Sequence, residues 1–292
     1  GDEGLRVLAP AGETPDHFAC CPPGFIMGDA DRGAALIAFA FDHTPAQLGA
    51  LLGPAGDAQL DAGFHDFNWL LDLRAACLPH ADKGAALLID TWITTWTDPH
   101  TDKFSAQKIA ARLIHLVESY AFFMPALTPE RQTNLIRSFA AQKAMLKPYL
   151  KSRTPCLVTL AAACAYTIGS VALGQDDEVI GAGLSATTRA LQALLNPDGG
   201  PVSRRADDLV PMIRLTLSVR DALSAAGKIL PADLIHILDR MVAALKFFDK
   251  GDGHLPSFHG SRVADPHLVR TLLHHANLNG QAPASLSQTG YE

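Results

Sequence analysis

The chain has 292 residues, of which 48% are hydrophobic, 18% charged and 7% aromatic, enough apolar material for the core of one or two domains and too much for a disordered chain. Its 30 acidic and 24 basic residues give a net charge of −6 with no long block of either sign, so it lacks the electrostatic footprint of a general nucleic-acid binder. Alanine makes up about one residue in six, and as the strongest intrinsic helix former it favours helix over sheet.

Residues 1–30 carry Pro10, Pro15, Pro22 and Pro23 among several glycines and are expected to form an irregular lead-in. Asp2 and Glu3 near the start do not resemble a secretory signal, which leaves bacterial cytoplasm and periplasm both open, since a cleaved signal would look the same. Beyond the lead-in, Pro and Gly punctuation marks out helices at about 45–53, 64–78, 81–97, 105–124, 129–150, 155–173, 176–195, 204–226, 231–248 and 265–277. Leu234, Leu238, Met241, Leu245 and Phe248 advance in steps of four and three, as do Ile109, Leu113, Leu116 and Tyr120, so each set forms one buried stripe. Thr128, Pro129 and Glu130 read as an N-cap, a first-turn proline and an acidic first turn, and Gly174 and Gly227 suit helix stops. The most apolar run, Cys156 to Leu173, is broken by Thr159, Thr167, Gly169 and Ser170, so it is expected as a core helix and not as a membrane span.

Ten helices joined by short connections exceed a four-helix bundle, and no strict repeat period is present. The expected fold is all-α, an incomplete (α/α) toroid of antiparallel helical hairpins over residues 31–280, with 281–292 as a tail or linker. An open, irregular helical array is the alternative.

The five cysteines show no CxxC or zinc spacing. Cys77, Cys156 and Cys164 are expected as small buried hydrophobes, and the neighbouring Cys20 and Cys21 as an incidental pair. Residues 196–205, NPDGGPVSRR, force a chain reversal in which Ser203 can cap the next helix, whose first turn carries Asp207 and Asp208. Besides a plain turn, this loop allows Arg204 and Arg205 to face an anionic ligand, where a guanidinium grips a carboxylate through two hydrogen bonds. His254 and His259 in KGDGHLPSFHG are candidate proton-transfer groups, although that loop lacks the spaced oxygen ligands of a calcium site. The adjacent His274 and His275 point about 100° apart on a helix and suit one metal poorly. No GxSxG, HExxH or Walker pattern occurs, and no metal or cofactor is expected. For Trp69, Trp92 and Trp96, core packing outweighs a sugar-stacking platform.

Four stretches carry a family resemblance: FHDFNWLLDLRAACLPHADKGAALLIDTWITTW at 64–96, Ile109 to Val117 with Arg112, PDGGPVSRRADDLVPMIRLTLSVRDAL at 197–223, and LDRMVAALKFFDKGDGHLPSFHG at 238–260. Together, over roughly residues 25–280, they resemble the heparinase II/III family, and specifically its proteobacterial branch, whose loop reads DGG then SRN and whose later motif reads FFRHGDG. The resemblance implies an (α/α) toroid followed by a β-sandwich, missing here, the two acting as a polysaccharide lyase on uronic-acid-containing polymers by β-elimination. It implies an acidic polysaccharide partner; on the lyase reading Arg112, Arg204, Arg205, Ser203 and Trp69 are the candidate substrate-binding residues, and His254 or His259, or else a group from the β-sandwich, the candidate for proton transfer, since the family's acid and base do not carry over. Family lyases carry a tyrosine after the DGG-like loop and an Asn-His pair before a later helix. This chain has Arg205 to Leu209, RADDL, at the first place and SRTPCLV at the second. A non-catalytic anionic-glycan-binding or scaffold domain is therefore the alternative expectation.

Overall fold

The computed structural model describes residues 15–54, 56, 63–249, 251–256, 264–277 and 282–291. Among these residues there are eleven α-helices and no β-strand, the only β pairings being the isolated bridges Leu195 with Pro201 and Leu286 with Tyr291. The all-α expectation holds. The helices are α1 Ala30–Phe41, α2 Pro45–Leu52, α3 Trp69–Ala76, α4 Ala81–Thr95, α5 Ala106–Phe123, α6 Pro129–Met145, α7 Leu157–Ala172, α8 Asp177–Leu194, α9 Leu209–Ala225, α10 Ala232–Phe248 and α11 Pro266–Ala276. They fall into two compact units, Gly1–Pro148 with Ile168–Asp176, and Tyr149–Thr167 with Asp177–Glu292.

In the first unit, α1 lies in a stretch for which the sequence suggested no helix. Asp29 caps it by accepting the amides of Asp31 and Arg32 at 2.9 and 3.0 Å. Gly33 lets α1 press onto α3, because a Cβ there would collide with the carbonyl oxygen of Asp72. The expected helix 64–78 is shorter than predicted: Phe64–Asp66 is a 3-10 turn, Phe67 and Cys77 adopt left-handed φ values of 59° and 50°, and only Trp69–Ala76 is α-helical. The Thr128 cap forms as expected, its hydroxyl accepting the Arg131 amide at 3.3 Å.

The core of this unit is built around a cation. Arg112 on α5 is fully buried, its guanidinium 4.1 Å from the Trp92 ring centre and flanked by Phe67 and Phe104. It donates from Nε to Gln142 Oε1 at 2.7 Å, from Nη1 to the His65 carbonyl at 2.5 Å and from Nη2 to the Lys103 carbonyl at 3.0 Å. Burial brings its pKa down to about 9, opposed by the charge of Asp66. Trp92 donates to His65 Nδ1 at 3.0 Å and Trp96 to the Leu52 carbonyl at 2.7 Å, so the two indoles are core, as expected.

A second buried cation, Lys143 on α6, donates to Ser170 Oγ at 2.9 Å and to Gln175 Oε1. Burial, assisted by Lys147, lowers its pKa from 10.5 to about 8.

In the second unit, α9 packs on α10 and α11, and α10 on α8. The stripe Leu234, Leu238, Met241, Leu245 and Phe248 is buried throughout. Gly227 stops α9 with φ 69°. On α9, Arg220 donates to the carbonyls of His275 and Ala276 at 3.0 and 3.4 Å, while His275 Nε2 lies 2.6 Å from Asp221 Oδ2, tying the end of α11 to α9. Of the three cysteines expected inside, only Cys164 is buried, with its thiol pushed up to about 12 by desolvation. Cys77 and Cys156 are exposed because each sits at a helix end, beyond the packed turns. Among the described residues, no helix is long and apolar enough to cross a membrane.

Two predictions concern the buried cations. Arg112→Ala leaves three acceptors and an aromatic box without their partner, and should cost roughly 3–5 kcal/mol in urea unfolding; Arg112→Lys should not restore it, because one ammonium cannot span the same three acceptors. Lys143 binds its proton less tightly when folded than unfolded, so between about pH 8 and 10.5 the unfolded chain holds more protons and folding gains stability as pH rises. Unfolding at a series of pH values should show the wild type gaining on Lys143→Met over that window, by at most about 3 kcal/mol, with a flat difference below it.

Candidate functional site

Residues 195–208 form the turn that connects α8 to α9. The chain reverses through bonds from the Asn196 amide to the Gly200 carbonyl at 2.8 Å and from the Val202 amide to the Leu194 carbonyl at 2.9 Å. Gly199 has φ 86°, and a Cβ there would strike the Arg240 carbonyl; one on Gly200 would strike Thr289. Both glycines are thus fixed by the close approach of other chain segments.

Asp198 organises the turn. Its carboxylate accepts the Gly200 amide at 3.1 Å, the Thr289 amide at 2.8 Å and the Thr289 hydroxyl at 2.6 Å. Burial raises its pKa, but the bonds from Thr289 and from the Gly200 and Gln288 amides outweigh this and hold it below the ordinary carboxylate value. Tyr291 donates to the Arg204 carbonyl at 2.7 Å and packs edge-on to Phe248 at 5.0 Å. Residues 286–291, expected as a tail or linker, therefore clamp the turn.

Ser203 does not cap the helix: its hydroxyl donates to Asp208 Oδ2 at 2.6 Å, and the 3-10 turn Ala206–Asp208 intervenes before α9. Arg204 is exposed, with φ 58°. Arg205 bonds Asp207 Oδ2 at 3.1 Å and lies 3.6 Å from Asp208 Oδ1, so its charge is already met by two carboxylates. Its Nε is buried and has no acceptor among the described residues. Beside it opens a cavity of about 440 Å³ that sets Arg205 against Asp207, Asp208 and Asp265, over apolar walls that include Leu157 and Leu268. Three carboxylates to one guanidinium favour hydroxyl or ammonium donors and disfavour a carboxylate ligand.

The other expected site residues do not join this cavity. His254 is exposed, and its Nδ1 pairs with Asp252 Oδ2 at 3.1 Å. Its loop is built instead around Asp249, whose Oδ1 accepts the amides of Gly251 and Gly253 at 3.0 and 2.8 Å. His259 lies outside the described residues. Arg112 is corrected from a substrate-binding to a core residue, because burial and three protein acceptors consume its guanidinium. Trp69 is likewise core, 2% exposed, stacked on Phe64 with centroids 5.6 Å apart and donating to the Phe64 carbonyl at 2.9 Å, so it offers no sugar platform. Asp265, which caps α11, and the Asp198–Thr289 clamp went unforeseen. The only local signal was an Asp two residues before a Gly, which marks Asx turns at Asp198 and Asp249. Among the described residues, no group of three potential ligands is placed to hold a metal.

The fold defined by these helices resembles the helical toroid of heparinase III. Two solved structures of heparinase III match with TM-scores of 0.62 and 0.61, 14% and 13% identity, 97% and 91% of this chain, and 52% and 46% of theirs. The heparan sulfate lyase HepC from Pedobacter heparinus matches with a TM-score of 0.53 and 15% identity, over 76% of this chain and 39% of that one. In sequence, the chain is 28% identical over 228 residues to the FtsZ-localized protein C of Caulobacter vibrioides (strain NA1000 / CB15N), covering 78% of this chain and 39% of that protein. No protein-family model matches. The chain spans between about two fifths and half the length of these proteins.

Gly199→Ala introduces both a disfavoured positive φ and a collision with the Arg240 carbonyl. It should cost roughly 1–3 kcal/mol in denaturant unfolding, whereas Gly227→Ala, with a positive φ but open space around it, should cost about 1 kcal/mol.

Proposed function

We propose that this chain is a lyase-like helical domain that serves as a non-catalytic scaffold or adaptor. The observation that carries this is the pairing of Arg205 with Asp207 and Asp208 in the loop where family lyases place substrate-handling residues. β-Elimination on a uronate needs its carboxylate neutralised, its C5 proton removed by a base and the departing O4 protonated. A guanidinium already met by two carboxylates, in a cavity with a third, serves the first task poorly. At the place just after the DGG turn where family lyases carry a tyrosine, this chain has RADDL. The name of the Caulobacter relative points the same way, toward a protein localized with FtsZ. On this reading the whole protein is a member of an FtsZ-associated assembly, and its toroid-like domain is an interaction module.

The competing reading is the helical part of a polysaccharide lyase, joined to a β-sandwich, cleaving a uronic-acid-containing polymer. It is favoured by the similarity to heparinase III, and it would use Arg204 and Ser203 at the turn and His254 or His259 for proton transfer. Incubating the chain, and the whole protein it belongs to, with a panel of uronate polymers while following absorbance of the unsaturated product separates the two. The scaffold reading expects no product, together with a fluorescent fusion that co-localizes with FtsZ and disperses when FtsZ is depleted. Product formation that falls at least ten-fold in Arg204→Ala would replace it with the lyase reading.

A further inference from the structure

The first unit holds a second cavity, of about 230 Å³, between α1 and residues 63–69. Ala35 and Leu36 line it together with the small exposed fractions of Phe64 and Trp69, 7% and 2%. A cavity of about 150 Å³ lined by aliphatic and aromatic side chains is enough to take benzene. This one has room for a ring and a short substituent.

Its polar groups are Arg32 and the Asn68 amide. Arg32 is anchored along one edge, with Nε 3.3 Å from Asp72 Oδ2. The Asp72 side chain is only 8% exposed, and its other oxygen accepts the Asp29 amide at 2.8 Å, so the carboxylate that holds Arg32 is itself fixed. The Asp29 carboxylate is turned to the first amides of α1. Arg32 keeps a side chain that is 57% exposed, and its two terminal nitrogens have no acceptor among the described residues. A guanidinium ion-paired on its Nε side while its outer fork is open can make a two-bond contact to a carboxylate.

The geometry points to a binding site for a small apolar carboxylic acid, with its ring or alkyl group in the Leu36–Phe64–Trp69 cavity and its carboxylate on the terminal nitrogens of Arg32. The site stands apart from the scaffold reading, which rests on residues of the other unit. The apolar lining contributes through area removed from water, and Arg32 selects acids over their neutral analogues.

The test titrates the 292-residue chain with N-acetyl-L-phenylalanine and, separately, with its amide, following backbone amide NMR signals. The acid should shift residues 32–36 and 63–69 saturably and bind roughly five- to ten-fold tighter than the amide. Arg32→Gln should remove that preference, and Ala35→Phe, which puts a ring at the exposed mouth, should weaken both ligands. Both positions are exposed, and melting temperatures near the wild-type value identify folded variants. Equal affinity of acid and amide for the wild type, an undiminished preference in folded Arg32→Gln, or no saturable shift at these residues at millimolar ligand would overturn the assignment.

Discussion

The first unit depends on a charge in its interior. Arg112 cannot shed its proton at neutral pH, so the structure has to provide acceptors and π-faces for it, and the surrounding segments converge to do so: α6 through Gln142, the 3-10 turn through the His65 carbonyl, the turn before α5 through the Lys103 carbonyl, and α4 through the Trp92 ring. Each acceptor comes from a different part of the chain. The cation therefore acts as a register pin: a shift of any one segment would strand a donor in a place water cannot reach. This also explains why Phe67 accepts a left-handed backbone, since the short turn at 64–67 brings the His65 carbonyl to the guanidinium and the Phe67 ring to its flank.

The second unit meets its electrostatic demands near the surface. Arg205, Arg220 and Lys228 each have a carboxylate within reach, at 3.1, 3.1 and 2.5 Å respectively. Such pairs contribute little to stability individually, but they settle which positive charges are available to a ligand. Arg204, lifted out of the turn by its positive φ, has its carbonyl held by Tyr291 and its guanidinium against Gly290. Within the turn, geometry serves the attachment of residues 286–291 more visibly than it serves catalysis.

Most of the helical framework was legible in the sequence because it follows from periodicity and punctuation. The stripes on α5 and α10, the Thr128 cap and the glycine stops at 174 and 227 all appear as their residue types dictate. What the sequence hid was tertiary. Helix α1 was missed because Gly33 interrupts it and its apolar stretch AALIAFAF shows no clean stripe; the glycine is there for contact with Asp72, 39 positions later. Arg112 and Trp69 share their residue types with ligand-binding groups, and only burial separates a core cation or indole from a binding one. The DGG turn was recognisable, yet nothing local to it announced that Thr289 would fill the space above Gly200. Site chemistry was harder to read than fold, because pairing between Arg205 and its acidic neighbours depends on backbone direction and not on spacing.

The Asp198 clamp also bears on the order in which the chain can take shape. Asp198 and Thr289 are 91 residues apart, and Arg204 and Tyr291 are 87 apart. During synthesis, α8, α9 and α10 emerge well before the segment that completes the turn between the first two of them. Until that segment arrives, the Asp198 carboxylate keeps water in place of Thr289, and Gly199 and Gly200 retain the backbone freedom that later contacts remove. Closing so long a loop is entropically slow compared with forming the helices around it. The turn is therefore one of the last parts of the second unit to become rigid on the ribosome, and one of the first whose protection would be lost if residues 286–291 were drawn away by another binding event.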